Sequence, residues 1–341
     1  MGTVKFSLIA IAIGALFMAF AHWFQVDYLF FACYTILQFI VLATAWNILG
    51  GYCGYVNFGS AAFFAMGAYS SVALHKFDPQ SFEFCFTDSA CMSFHFLEWA
   101  FPLPIPVLIV IGGIVSGIAG FGMGYLTLRL RGSFFAIATL ALAVVLQTLV
   151  VNWDFVGGSR GAYIIRPDSL EFAGIQINYI EYLFALMLLL TVIALNTARI
   201  IERSQLGFGF ATIRDDELAA EACGVPTLRL KLIATTLSGA FMGMAGAPFP
   251  YYIGYLQPQS AFGLEYAVNS IAMPMIGGTT SWVGPLVGAV LLGSAQQYAT
   301  VTISSAANLL IVGLMLVGFV IVAPNGLVGL VQGWRRSWRK P

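Results

Sequence analysis

The chain has 341 residues, of which 60% are hydrophobic and only 9% charged, fifteen acidic and fifteen basic side chains balancing to no net charge. Its mean hydropathy is +0.88. Soluble domains carry roughly a quarter charged residues, so this composition excludes a water-soluble globule and calls for surrounding lipid.

Apolar stretches of some twenty residues recur from end to end, each long enough for about 30 Å of hydrocarbon at 1.5 Å per residue. A bilayer offers no water to unpaired amides, so spanning segments are helices or a closed barrel. The stretches lack strand-type alternation, which leaves helices. The expected fold is an all-α, polytopic transmembrane bundle of about ten segments, some of them broken or re-entrant, in a single domain over 1–341. In chain order, Gly, Pro and charge delimit segments near 6–24, 28–49, 52–75, 104–128, 133–151, 180–200, 232–252, 266–279, 285–302 and 306–326. The first follows Lys5 as a signal peptide would, but it is long and ends at His22-Trp23 instead of a small-residue cleavage pattern, so it reads as a helix.

With the N-terminus in the cytoplasm, 129–132, 201–231 and 327–341 lie inside, and 76–103, 152–179 and 253–265 outside. Lys5, Arg129, Arg131, Arg199, Arg203, Arg214, Arg229, Lys231, Arg335, Arg336, Arg339 and Lys340 then fall inside, against Lys76, Arg160 and Arg166 outside. This positive-inside bias puts both termini in the cytoplasm. No ionisable side chain falls in mid-span, which argues against a proton relay, an ion-coupled carrier or a voltage sensor. His22, His75 and His95 lack metal-ligand spacing. No G-x-x-x-x-G-K-S/T loop, Ser-His-Asp set or H-E-x-x-H motif stands out. The chain is therefore expected to be no enzyme and to hold no metal or cofactor, and any uphill transport draws its energy from another chain. Cys33, Cys53 and Cys223 lie in or near apolar or cytoplasmic segments. Cys85 and Cys91, six apart in the external loop, are a candidate disulfide, free thiols remaining an equal alternative.

Gly112, Gly113, Gly117, Gly120, Gly122 and Gly124 crowd the fourth segment, where missing side chains let helices approach closely. Two other stretches, Gly50 to Gly59 and Gly277 to Pro285, open a helix through Gly-rich, polar sequence. Each reads as a broken or re-entrant helix beside a translocation path, or as a short turn. They share a Gly-Gly and an aromatic-Val pair at an offset of 227 (Gly50 to Gly277), a weak sign of an internal repeat. The 201–231 connection contains Arg214-Asp215-Asp216-Glu217-Leu218-Ala219-Ala220-Glu221-Ala222-Cys223-Gly224-Val225-Pro226. Asp215 or Asp216 can cap a short helix there, Gly224 suits the left-handed position after it, and Pro226 stops it. Two turns are unstable alone in water, so this helix should be docked on something. Leu218, Ala222 and Val225 fall on one side at helical spacing, which leaves Asp216, Glu217 and Glu221 exposed.

Arg129-Leu130-Arg131-Gly132-Ser133-Phe134-Phe135-Ala136-Ile137-Ala138-Thr139-Leu140, the Arg214 to Gly224 segment, and Ile276-Gly277-Gly278 followed by Trp282-Val283-Gly284-Pro285-Leu286-Val287-Gly288-Ala289 resemble the permeases of branched-chain amino-acid ABC importers. The Asn57 to Tyr69 run and Pro324-Asn325-Gly326-Leu327 are similar too, and the landmarks keep the family's order over 47–330. The chain looks like the larger of the two permease types that pair in these importers. The resemblance implies a second permease, two cytoplasmic ATPases that bind the ATP, an external or periplasmic solute-binding protein, and residence in a bacterial plasma (inner) membrane; no nucleic-acid partner is expected. It makes Arg214, Asp215, Asp216, Glu217, Glu221 and Gly224 the coupling segment that docks on an ATPase. Asn57, Ser60, Thr139, Gln147, Asn269 and Ser270 are the candidate path-lining residues. They offer hydrogen bonds without charge, so a zwitterion would be recognised mainly by the binding protein and by helix termini. The external insertion near 77–100 has no match in the family pattern. The solute is expected to be a branched-chain or related amino acid, although relatives carry urea, short amides or aromatic acids. The alternative is a stand-alone carrier or channel for a small neutral solute; a proton-pumping respiratory subunit is disfavoured by the lack of mid-span Lys and Glu.

Overall fold

Helix-forming apolar runs interrupted by glycine set the architecture. A computed structural model describes residues 27–76, 84–87, 90–92, 103–127, 130, 132–165, 169–172 and 175–302, with isolated positions before 27 and within 310–330. The long helices are α1 (Asp27–Asn47), α2 (Ser60–Lys76), α3 (Ile105–Thr127), α4 (Ser133–Val151) and α5 (Tyr179–Arg203). Two shorter ones, α6 (Gln205–Asp215) and α7 (Glu217–Ala222), lead to α8 (Thr227–Gly246), α9 (Phe249–Ile253), α10 (Pro258–Ala261), α11 (Leu264–Gly277) and α12 (Val283–Thr302).

Among the described residues five stretches are long and apolar enough to cross a membrane: Tyr28–Tyr52, Ile105–Thr127, Ser133–Val151, Tyr179–Arg203 and Thr227–Ile253. That is fewer than the ten segments the sequence suggested. Hydropathy extends the third segment back to 52, but Ile48–Tyr52 form a π-helical turn, Gly54 takes φ +79°, and α2 begins only at Ser60. The 17-residue α2 and the 14-residue α11 are shorter than the usual crossing of about 20 residues. The expected segments at 6–24 and 306–326 lie outside the described residues. Charged residues of the long helices stay near helix ends: Asp27 in α1, Lys76 in α2, Glu181, Arg199, Glu202 and Arg203 in α5, Arg229 and Lys231 in α8.

Short ribbons in the connections accompany the helices without changing the all-helical architecture. Three antiparallel ribbons join β1 (Phe84–Thr87) to β2 (Ala90–Met92), β4 (Ser169–Phe172) to β5 (Ile175–Asn178), and β3 (Ala162–Tyr163) to β6 (Tyr255–Leu256). They are two to four residues long, too short for alternation to register in a sequence. The last ribbon matters most, because it ties together two distant connections. Tyr163 stacks on Tyr255 at 4.3 Å and the Ile164 N–H donates to the Gly254 carbonyl at 2.9 Å.

The bundle's closest packing is made of glycine. Along the antiparallel α3 and α8, Gly112 faces Ala247, Gly117 faces Ala240 and Gly124 faces Leu232. A Cβ on Gly120 would stand 2.9 Å from the Thr235 carbonyl oxygen, and one on Gly243 would strike Ser116. In lipid, where apolar burial gives no net driving force between helices, such close backbone approach supplies the packing. Gly122 differs from its neighbours, with nothing within 4 Å of the position its Cβ would take. By contrast, α4 buries only Phe135, Thr139 and Val150.

Gly120→Leu is therefore expected to lower the melting temperature of the detergent-solubilised protein, overpacking costing about 1–3 kcal/mol, whereas Gly122→Leu leaves it unchanged. Equal melts for the two variants would contradict this packing.

Candidate functional site

The connection between α5 and α8 folds from its own capping residues. Ser204 starts α6 by accepting from the Gly207 N–H, and α6 runs to Asp215. Asp216 then breaks the helix in an extended conformation and caps α7, its carboxylate accepting from the Leu218 N–H at 2.9 Å and the Ala219 N–H at 3.1 Å. Of the two capping candidates, Asp216 takes the role. Asp215 instead closes α6 beside Arg214 at 3.5 Å. Past the end of α7, Gly224 adopts φ +81°, and Glu221 accepts from the Thr227 hydroxyl at 2.9 Å.

The faces of α7 differ from the spacing argument. Leu218 is 62% exposed and Ala222 is exposed, while Ala220 is buried and Glu217 turns inward. Asp216 and Glu221 do lie exposed. The cause is electrostatic. Lys231, one turn into α8, is 1% exposed, and its ammonium ion-pairs with Glu217. A buried charge left unmatched is strongly destabilising, so Glu217 sets the rotation of a helix whose apolar residues are too few to do so.

Tyr55 completes the arrangement. The Lys231 Nζ donates to the Tyr55 hydroxyl at 2.7 Å and stands 4.2 Å from its ring centroid, and the hydroxyl in turn donates to the second Glu217 oxygen. Tyr55 also meets Phe135 of α4 edge-on at 5.1 Å. Next to it, a Cβ on Gly54 would lie 3.2 Å from the Arg214 Cα, so the chain passes there without a side chain and with positive φ. Burial pushes the neighbouring Cys53 thiol up to about 12, with Lys231 lowering and Glu217 raising it to smaller extents. The Gly50 to Gly59 stretch and the Arg214 to Glu217 region are thus in direct contact.

Beyond that contact lies a polar seam holding five of the six candidate path residues. The Asn57 carbonyl accepts from the Trp46 indole at 2.9 Å, and its side chain accepts from the Gly59 N–H at 2.7 Å. Thr139 accepts from the Phe58 N–H at 3.2 Å, Ser270 donates to Ser60 at 2.8 Å, and Asn269 accepts from Gln296 at 2.9 Å. All five are buried between helices of this chain. Gln147 stands apart, half-buried two turns further along α4.

The second Gly-rich stretch meets the first: a Cβ on Gly51 would lie 2.6 Å from the Thr279 carbonyl oxygen. It forms a tight turn between α11 and α12, with Gly278 at φ +114° and Gly277 against the Gly284 carbonyl. Glu202 of α5 accepts from the Trp282 N–H at 2.8 Å, and the Arg199 guanidinium lies 5.6 Å from the Trp282 ring. Tyr55, Lys231, Arg199, Glu202 and Trp282 were not singled out by the sequence as a site. A signal existed for Lys231, which shares a helical face with Thr227, Ala234, Thr235 and Ser238, all small or weakly polar and all buried. Cys85 and Cys91 are Cα partners across the β1–β2 ribbon; their side chains lie outside the described residues.

Residues 28–320 match the family described as branched-chain amino acid transport system / permease component, and the chain belongs to that family. It is a permease component of an ABC transporter; ATP binding in such systems lies on a separate ATPase, and this chain is not itself catalytic. Among its relatives is the high-affinity branched-chain amino acid transport system permease protein LivM of Salmonella typhimurium, 28% identical over 316 residues, or 86% of this chain and 68% of the relative. LivM of Escherichia coli K12 is 27% identical over 352 residues, or 97% and 76%. The chain is thus a homologue of the larger permease type. The autoinducer 2 import system permease protein LsrC of Yersinia pestis is 25% identical over 215 residues, or 61% and 59%. No solved structure matches the chain.

Lys231→Met, which strands the Glu217 carboxylate, is expected to destabilise the protein by roughly 3–5 kcal/mol. Adding Glu217→Gln should recover much of that loss, because both charges are then gone. Thermal melts of the purified variants check this, and a double variant no more stable than Lys231→Met would contradict it.

Proposed function

We propose that this chain forms half of the translocation path of an ATP-driven importer for branched-chain or related amino acids, and that α7 is where a cytoplasmic ATPase takes hold of it. The observation that carries this reading is the two-sided character of α7. Leu218 projects as an apolar knob on one side, while Glu217 on the other is tied through Lys231 and Tyr55 to the base of the bundle. Such a helix suits insertion into a groove of a partner, with Arg214, Asp215, Asp216 and Glu221 at the rim and Gly224 ending it. A well-seated apolar anchor is the usual centre of such a contact.

The rest of the assembly follows from this reading and from the family. A second permease completes the path, two ATPases supply ATP hydrolysis, and an external solute-binding protein delivers the solute. The chain is one permease domain over 1–341 in a bacterial plasma membrane, with both termini and the 201–231 loop cytoplasmic and the 76–103 loop external, as the excess of Lys and Arg in 129–132, 201–231 and 327–341 supports. Of the long described helices α4 is the least covered by the rest of the chain. This favours it as the side facing the second permease, with Gln147 toward the path and Asn57, Ser60, Thr139, Asn269 and Ser270 forming the polar seam behind it. The kinship with the LivM permeases points to a branched-chain amino acid as solute. Cys85 and Cys91 are bonded to each other in this reading, since directly opposed ribbon residues have Cα atoms about 4.5–5.5 Å apart, within the usual disulfide range.

In proteoliposomes holding the complete importer, Leu218→Asp should cost about 2 kcal/mol of ATPase docking, some thirtyfold in affinity, and depress ATP-driven leucine uptake accordingly while the permease stays in the membrane. Undiminished uptake would overturn the role of α7. Separately, a maleimide applied to denatured, unreduced protein should label three of the five cysteines, and labelling of all five would exclude the disulfide.

A further inference from the structure

The two Gly-rich stretches are gripped alike, and from one piece of chain. Tyr55 and Trp282 occupy the same place in them, each five residues after the first glycine of a Gly-Gly pair and each followed by Val. Over the Tyr55 ring stands the Lys231 ammonium at 4.2 Å, and its hydroxyl is bonded to the Glu217 carboxylate. Near the Trp282 ring stands the Arg199 guanidinium at 5.6 Å, and its N–H donates to the Glu202 carboxylate at 2.8 Å. Each aromatic thus has one cation by its ring and one carboxylate on a polar hydrogen. All four charged residues belong to 199–231, which runs from the end of α5 through α6 and α7 into the start of α8.

The two grips also stand at the bases of the two halves of the polar seam. Tyr55 leads into Asn57, the Phe58–Thr139 bond and Ser60, whereas Trp282 is the residue before α12, which carries Gln296 to Asn269. Glu202 is well suited to hold this second base. A helix begins with N–H groups that have no partner inside it, and an acid at that end is favoured by the helix dipole. Arg199 is buried, so its attraction to the ring is little screened.

We propose that Glu202 and Arg199 form a second transmission contact, through which movement of the 199–231 segment displaces the Gly277 to Pro285 stretch and α12 in step with the Gly50 to Gly59 stretch and α2. This rests on the reading that α7 receives the ATPase stroke. A single contact at Tyr55 would move one base of the seam and leave the other behind. Two contacts from one segment, at stretches that touch at Gly51 and Thr279, move both. Glu202 and Arg199 are positioning residues in this scheme and touch no solute.

The test uses the complete importer in proteoliposomes, with solute uptake and ATP hydrolysis measured on the same preparation. Glu202→Ala is expected to lower the solute moved per ATP by about fivefold or more, with ATP hydrolysis and the amount of assembled complex unchanged. Glu202→Gln, whose amide oxygen still accepts from the Trp282 N–H, should keep most of the ratio. Because the two contacts act as one unit, Glu202→Ala combined with Glu217→Gln should be little worse than the more damaging single change. An unchanged ratio in Glu202→Ala, or uptake and hydrolysis falling together with the amount of complex, would overturn the proposal and leave Glu202 as a staple of α12. Leu218→Asp, run alongside, separates the two ideas: if it abolishes uptake while Glu202→Ala leaves the ratio intact, α7 docking stands and the second contact falls. If Leu218→Asp has no effect, the docking reading fails and the second contact falls with it.

Discussion

The Lys231 ammonium is the constraint on which the rest of this end of the molecule depends. Lysine near a helix end normally extends its stem and keeps its charge in water. Here the stem points into the bundle, and the charge must be matched where it sits. Glu217 supplies the opposite charge, Tyr55 supplies a ring face and an oxygen, and each has to be delivered by a separate piece of chain. Glu217 arrives only if α7 is turned with Leu218 outward. Tyr55 arrives only if the chain breaks after α1, which the π-helical turn and the positive φ of Gly54 allow. One buried charge therefore determines the rotation of the exposed helix and the shape of the Gly-rich stretch together.

Glycine provides the complementary condition. Charged grips at the end of a bundle can transmit displacement only if the helices above them behave as solid bodies. The α2, α3 and α8 crossing is close-packed for that reason, since Gly67, Gly112 and Gly243 let the three backbones approach with only small side chains such as Ser116 and Ala247 beside them. The stretches at Gly51 and Gly277 are different. There glycine removes side chains where the chain turns, so that two irregular segments share a contact. The same residue type serves close packing in one place and sharp bending in the other, and hydropathy treats both alike.

That difference explains what the sequence disclosed. The membrane bundle, the position of most spanning helices and the cap, stop and length of the short helix near 217–222 were legible, because they depend on composition, local periodicity and side chains a few residues apart. The family was legible from short motifs in order. The rotation of α7 was not, because three apolar residues on so short a helix are a weaker determinant than one ion pair to a residue in the next helix. Nor was the late start of α2, since Tyr52, Cys53, Tyr55, Val56 and Phe58 score as apolar whether or not the chain is helical there, whereas the short α11 lies close to the expected segment at 266–279. Asn57, Ser60, Thr139, Asn269 and Ser270 were found as polar residues in apolar surroundings, but which of them bond to one another depends on tertiary contacts.

The distribution of charge carries the final step. Among the described residues, the charged groups of the long helices stay near helix ends, and the seam within is held by hydroxyls and amides. A hydroxyl pair such as Ser60–Ser270 is worth about a kcal/mol net in a membrane bundle, whereas separating a buried ion pair costs several. The seam is consequently weaker than the Lys231–Glu217 pair. A displacement applied at the end of the bundle would be expected to shear the seam before it breaks that pair. The order of strengths is the one a permease needs if its path is to open in response to force delivered from outside the bilayer: firm handles at one end and neutral, exchangeable hydrogen bonds between the parts that must move.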